Sequence, residues 1–389
     1  AAEESSEFSP EDLIPSEDVF VILTQRGNVK RVSARNYRAR GHAPASDDDP
    51  PLLVAAANSM DSALFFTDRG RVCQEKVHQV PEENRQGRGA PVGDLISLEN
   101  GETVAAIVAV GDVESPEYIL MATAQGKVKR APLSEFSTAR SSPITAISLD
   151  TGDSLRWAGR TRGGQEAILV TAQGKAIRFS EDDVRPMGRT AGGVNGMRLD
   201  KGDKVVAADI VRPGSELVVV TARGYAKRTP IDQYSNQARG GSGLLTVDRA
   251  TLKQGGPIVA ARALLAEEEA LLVSGEGLVL RRAVKEIPRA ARAGRVAGVV
   301  RLKAGDGLRA LSVLSDTGDD NVPPPVPEGG AEPAPEPEEP ARRQGKKTVA
   351  SRGSASRRSA APRKKARQTA SSTTASQSTR RKASRQASD

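Results

Sequence analysis

The sequence predicts an all-β fold: a six-bladed, propeller-like disc followed by an acidic linker and a basic tail. Three observations predict it. A short apolar segment ending in Thr or Ser runs into a turn with Gly and then into a second short segment, and this unit occurs six times. The turn glycines, Gly27, Gly70, Gly126, Gly174, Gly224 and Gly277, are separated by 43, 56, 48, 50 and 53 residues, which is blade spacing. Downstream, a Leu-x-x-Gly-acid signal precedes another apolar strand in most copies, giving about four strands per repeat and almost no helix.

In chain order, residues 1–17 form an acidic lead-in; 1–18 hold seven acids and no base. The disc spans 18–315, with blades at about 18–60, 61–113, 114–163, 164–213, 214–266 and 267–315. Each copy reads as a β-hairpin whose Gly supplies a positive φ: residues 21–31, 64–72, 120–130, 169–178, 219–228 and 272–281. The second signal reads Leu98-Glu-Asn-Gly-Glu102, Leu149-Asp-Thr-Gly-Asp153, Leu199-Asp-Lys-Gly-Asp203 and Leu302-Lys-Ala-Gly-Asp306. Residues 316–340 hold eight acids, no base and many prolines, so they read as a linker. Residues 341–389 hold 15 bases and one acid, with too little apolar surface to offset the entropy of ordering; they read as a disordered tail.

Net charge is +8 overall and +9 over 19–315, pointing to an anionic partner. Four residues after the turn Gly, five repeats place Arg: Arg31, Arg130, Arg178, Arg228 and Arg281; the second has Gln74. Lys30, Lys129 and Lys227 stand beside three of them. Recurrence at equivalent points of a disc predicts an anion-binding rim, although adjacent strand residues point to opposite faces. In the tail, Arg357, Arg358, Arg363, Lys364 and Lys365 fit a sequence-independent grip on phosphates. A solvated solubility tail and contact with an anionic membrane surface stay open beside that reading.

Other chemistry finds little support. A single Cys excludes an intrachain disulfide, and with two His it cannot build a common zinc site. There is no phosphate-binding loop, since Gly126-Lys127 and Gly174-Lys175 are followed by Val and Ala. No cofactor and no nucleophile–base pair is expected; Cys73, His42 and His78 are isolated, and Asp47-Asp48-Asp49 reads as a solvated loop. No apolar run approaches a membrane span, so the composition suggests a soluble, cytoplasmic chain. It opens on Ala1 rather than Met, which leaves room for an upstream portion.

The repeats, the stretch Glu11-Asp-Leu-Ile-Pro15-Ser-Glu-Asp-Val19 and the run Ser180-Glu-Asp-Asp-Val-Arg-Pro-Met-Gly-Arg-Thr190 resemble the C-terminal domain of the DNA gyrase A subunit (and of its topoisomerase IV counterpart). The resemblance covers about residues 8–315. It implies a β-pinwheel that wraps double-stranded DNA around its rim, in a bacterial, nucleoid-associated type IIA topoisomerase. Partners implied are a cleavage domain and an ATPase subunit. Cleavage needs a tyrosine after Arg, and none of Tyr37, Tyr118, Tyr225 and Tyr234 follows one, so this chain is expected to bind DNA without cutting it. Gyrase members carry a Q-[KR]-R-G-G-[KR]-G loop in the first blade, where this chain has Arg40-Gly-His-Ala-Pro-Ala-Ser46. A related string, Gln237-Ala-Arg239-Gly240-Gly241-Ser-Gly243, stands in the fifth repeat at the same register. Either the wrapping loop has moved there in weakened form, or the match is a variant of a Gly-rich blade loop. Supercoiling and decatenation both stay open. The rival reading is a propeller serving as a protein-interaction platform, with only the tail on DNA; a channel enzyme is the third.

Overall fold

The computed structural model describes residues 13–38, 45–46 and 48–314. Arg40, the linker and the tail with Arg357, Arg358, Arg363, Lys364 and Lys365 lie outside the described residues. Each repeat contributes four strands. The first gives β1 (Asp18–Thr24), β2 (Asn28–Ser33), β3 (Ala45–Ser46) and β4 (Pro51–Asn58), and the second β5 (Ser62–Thr67), β6 (Arg71–Lys76), β7 (Ala90–Pro91) and β8 (Val104–Val110). The third gives β9 (Tyr118–Thr123), β10 (Lys127–Pro132), β11 (Ile144–Thr145) and β12 (Leu155–Thr161). The fourth gives β13 (Glu166–Thr171), β14 (Lys175–Ser180), β15 (Val194–Asn195) and β16 (Val205–Val211). The fifth gives β17 (Glu216–Thr221), β18 (Tyr225–Pro230), β19 (Leu244–Leu245) and β20 (Ile258–Leu264). The sixth gives β21 (Glu269–Ser274), β22 (Leu278–Ala283), β23 (Ala297–Gly298) and β24 (Leu308–Val313). The longest described helix, Arg249–Gly255, has seven residues.

These strands build six four-stranded sheets set in a ring, a six-bladed pinwheel. No sheet is made by one repeat alone. The first is ordered β4-β1-β2-β7, so its outermost strand comes from the second repeat, and the pattern continues around the disc. The sixth sheet, β24-β21-β22-β3, takes its outermost strand from the first repeat. Leu278 pairs with Ser46 and Val279 with Ala45, which closes the ring.

The turns explain the repeat signature. In all six, the Gly N–H donates to the carbonyl of the Thr or Ser three residues earlier. That side chain's hydroxyl accepts the N–H of the residue after the Gly. The φ at these glycines runs from 75° to 90°, a region side chains with Cβ rarely enter. In three repeats the acid of the Leu-x-x-Gly-acid signal caps the same turn: Asp153 accepts the Gln125 N–H (2.9 Å), Asp203 the Gln173 N–H (3.0 Å) and Asp306 the Glu276 N–H (3.1 Å). Asp49 does so for Arg26 at 2.9 Å, so the Asp47-Asp48-Asp49 stretch ends in a turn cap.

Apolar surface is buried between sheets, in six separate seams. Leu64 and Phe66 of β5 meet Ile119 and Met121 of β9 in one; Phe20 and Ile22 of β1 meet Leu271 and Val273 of β21 in the closing seam. Each hairpin's first strand has neighbours on both faces, hence its continuous apolar run, whereas β8 alternates buried and half-buried along its length. The inner strands β4, β8, β12, β16, β20 and β24 stand next to one another around a central cavity of about 610 Å³.

Candidate nucleic-acid interface

The arginines four residues past the turn Gly do not form a free rim. Arg31, Arg130, Arg178, Arg228 and Arg281 are only 8–17% exposed at the side chain, and each contacts a carboxylate. Arg178 pairs with Glu166, Arg228 with Glu216 and Arg281 with Glu269 across the hairpin. Arg130 pairs with Asp182 at 2.9 Å and covers the Tyr118 ring, and Arg31 pairs with Glu82 at 2.8 Å. Four of them reach the following repeat: Arg130 through Asp182, Arg31 by donating to the Val80 carbonyl, Arg178 to those of Ile231 and Tyr234, and Arg228 to that of Ile287. This corrects the rim expectation. The cation recurs because it staples one blade to the next.

Lys30, Lys129 and Lys227 are corrected in the same way. They are 5%, 0% and 0% exposed. Lys30 donates to the carbonyls of Arg85 (2.9 Å) and Gly87 (2.6 Å), and Lys129 to those of Ala146 (2.6 Å) and Arg189. Lys227 donates to the carbonyls of Ala291 (2.9 Å), Arg292 (2.6 Å) and Gly294 (3.2 Å). Burial pushes the Lys129 and Lys227 ammonium groups down to about 8.

Exposed cations collect instead on the loop between each hairpin and the exchanged strand, at the disc perimeter. Fifteen residues past the turn Gly, four repeats carry Arg: Arg85, Arg189, Arg239 and Arg292, all half-exposed. The third has Arg140 one position earlier, exposed, and the first has His42, outside the described residues. Arg88, Arg185, Arg289 and Arg295 add exposed charge to the same loops. Only Arg239 of these is singled out by the sequence reading; the recurrence at this register is equally visible in the sequence.

Each of these four side chains leans on the preceding repeat. Arg85 sits 5.5 Å from the Tyr37 ring centroid, Arg189 donates to the Thr138 hydroxyl (3.4 Å), and Arg292 donates to the Leu245 carbonyl (2.5 Å). Arg239 donates to the carbonyls of Asp183 (2.7 Å) and Asn195 (3.2 Å). In its loop, Gly240 and Gly243 have φ of 79° and 69°, the Gly240 N–H donates to the Gly196 carbonyl, and Gly241 and Gln237 are half-buried.

Some of the cations at the turn end of the disc pair with acids, while Arg223 donates to the carbonyls of Lys253 and Gln254. Arg69 pairs with Glu99, Arg71 with Glu99 and Glu102, Lys127 with Asp150 (2.6 Å) and Lys175 with Asp200 (2.8 Å). Burial alone would raise the Glu102 carboxyl, but hydrogen bonds from Arg71, Thr67 and the Glu99 N–H hold it at about 2. Among the described residues, no group of three or more His, Cys, Asp or Glu could hold a metal ion. Burial pushes the Cys73 thiol up to about 11, away from the thiolate a nucleophile needs. No described helix is long and apolar enough to cross a membrane.

The chain matches the model of the DNA gyrase C-terminal domain, a beta-propeller, over residues 18–41, 61–110, 117–162, 165–212, 215–264 and 268–315. It is 37% identical over 326 residues to the DNA gyrase A subunit of Staphylococcus epidermidis, covering 81% of this chain and 36% of that protein. To the Mycolicibacterium smegmatis counterpart it is 36% identical over 319 residues, covering 80% and 38%. The chain therefore spans little more than a third of the curated relatives it matches. Among solved structures, it is similar to a DNA gyrase A C-terminal domain at TM-score 0.67 and 26% identity, covering 76% of this chain and 99% of that one. A topoisomerase IV C-terminal domain gives TM-score 0.64 and 27% identity, covering 77% and 94%.

Proposed function

The chain belongs to the DNA gyrase C-terminal domain family of type IIA topoisomerases, and from that premise we propose that it binds and bends double-stranded DNA along its perimeter loops without cutting it. One observation carries the reading: Arg85, Arg189, Arg239 and Arg292 recur at one register of the perimeter loops, in four of the six repeats. A duplex lying on these loops meets charge at successive blades, which suits phosphate contact rather than base readout. Bending 20–30 bp by 40–90° costs about 1–6 kcal/mol, so distributed contacts are needed to hold the bend. The tail arginines and lysines add sequence-independent affinity on this reading. A cleavage domain and an ATPase subunit supply strand passage in the parent enzyme, and this chain positions the DNA for them.

The fifth-repeat loop Gln237–Gly243 is the element we assign to closing the wrap. Its glycines allow close backbone approach, and Arg239 is its cation.

Anisotropy of a labelled duplex at increasing salt tests the main reading. If about 6–10 phosphates are neutralised, affinity falls roughly 10³–10⁵-fold between 50 and 200 mM salt. Two duplexes of unrelated sequence give the same curve. A flat salt response, or preference for one sequence, contradicts electrostatic wrapping.

A further inference from the structure

The buried lysines alternate. Three residues past the turn Gly, the first, third and fifth repeats carry Lys30, Lys129 and Lys227, whereas the second, fourth and sixth carry Cys73, Ile177 and Leu280. Each ammonium reaches across the seam into the perimeter loop of the next repeat, so the loops held this way belong to the second, fourth and sixth repeats. In all three, one carbonyl that is gripped belongs to the arginine fifteen residues past the turn Gly: Arg85, Arg189 or Arg292. The fifth-repeat loop rests instead on Ile177, whose Cδ1 would lie 3.3 Å from a Cβ on Gly241.

We propose that Lys30, Lys129 and Lys227 are positioning residues for DNA: each fixes the main chain of one perimeter arginine, so every second blade presents a pre-ordered phosphate contact. This rests on the perimeter reading of DNA binding. A buried ammonium shared among two or three carbonyls is costly to leave unpaired, so the loop it holds has one conformation rather than several. Ordering that is already present in the unbound protein is not lost again on binding, and the contact is stronger by that amount. Cys73 and Ile177 offer no ammonium to the loops of the third and fifth repeats, and Leu280 carries none at the equivalent position of the sixth. The disc therefore carries two classes of blade, and the wrapped duplex is held at three dominant places with weaker contacts between.

A double-mutant cycle on the full chain tests this, using Lys129→Met, which keeps length and removes the donor, with Arg189→Ala. The readout is the slope of log affinity against log salt on a mixed-sequence duplex. Arg189→Ala is expected to reduce that slope by about 0.9, the value for one phosphate on B-DNA. Lys129→Met is expected to reduce it by a similar amount while circular dichroism stays unchanged, and the double variant by no more than either alone. Additive losses, or an unchanged slope in a folded Lys129→Met, overturn the clamp while leaving the perimeter reading intact. An unchanged slope in Arg189→Ala overturns the perimeter reading at that site and the clamp with it. Phosphate-ethylation interference on the unsubstituted chain needs no variant to fold: three dominant clusters of interference are expected, and clusters of equal strength at every blade overturn the proposal.

Discussion

Lys129 is fully buried, and its ammonium is pushed down to about 8. Burial, opposed by the Glu135 carboxylate, lowers its pKa from 10.5, so the unfolded chain binds its proton more tightly than the folded chain does. Between about pH 8 and 10.5 the unfolded state then holds a proton the native state has lost, and stability from this group rises with pH across that window. Lys129→Met removes the titration. Denaturant unfolding of both proteins at pH 7.5 and 10 is expected to show the unsubstituted chain gaining on the variant; a constant difference contradicts the argument. Arg239 makes a different kind of prediction. It is one phosphate contact among many, so Arg239→Ala is expected to shift affinity modestly. Since its loop is assigned to closing the wrap, the same variant is expected to lower end-to-end energy transfer on a short bent duplex more than Arg40→Ala does. Equal effects would return the fifth-repeat loop to an ordinary blade connection. At this scale the sequence was half legible. The recurrence of Arg past the turn Gly was visible, but so was its partner eight residues before that Gly: Ser62, Tyr118, Glu166, Glu216 and Glu269. Gln74 bonds Ser62, Arg130 covers Tyr118, and Arg178, Arg228 and Arg281 pair with the glutamates; in the first repeat the position is Val19, and Arg31 pairs with Glu82 instead. A cation with a carboxylate across its hairpin in three of six repeats is tied to that hairpin. Read as a pair rather than alone, these residues point to packing.

Among the elements, the hairpin turn is the most fully written in the sequence, because one Gly satisfies two demands there. Gly174 has φ +89°, and a Cβ would stand 2.2 Å from the Val247 carbonyl oxygen; Gly27 has φ +82° with nothing within 4 Å. Gly27→Ala meets only the left-handed backbone cost of about 1–2 kcal/mol. Gly174→Ala meets that cost and must also displace the segment that follows the exchanged strand β19. Thermal unfolding is expected to place Gly174→Ala clearly below Gly27→Ala, and equal melting temperatures would show that the Val247 contact can relax freely. The exchanged strands themselves were not legible. Ala90–Pro91 or Ile144–Thr145 offers two residues, too few for an alternation of apolar and polar positions to show. Which sheet such a strand joins depends on where its repeat lies in space, a fact no local pattern holds.

For the whole molecule, the six seams and the exchanged strands make each blade's stability a property of its neighbours. Stacked repeats with independent sheets can lose cooperativity as arrays lengthen. Here every sheet is completed by the next repeat and the last by the first, so partial unfolding exposes two seams at once. Trp157 is the chain's one tryptophan and stands in β12, lining the central cavity. Its fluorescence reports the third blade, whereas far-UV circular dichroism reports all six. Coincident denaturant transitions by the two probes are expected, and a fluorescence midpoint apart from the dichroism midpoint would mean that blades unfold separately.

The pairing of Ala45 with Val279 also has a meaning in time. More than 230 residues separate the two, and at a synthesis rate of about 5–20 residues per second the second emerges roughly 10–50 seconds after the first. Throughout that interval, a nascent chain can complete its early sheets in order, each as the next repeat leaves the ribosome. The first repeat's contribution to the last sheet has nothing to join, and its side of the closing seam, with Phe20, Ile22 and Tyr37, stays uncovered. The molecule is thus born as an open arc with one greasy flank, and it becomes a circle only once the sixth repeat has emerged. That delay makes the flank the natural place for a chaperone to act, or for two unfinished chains to seize one another.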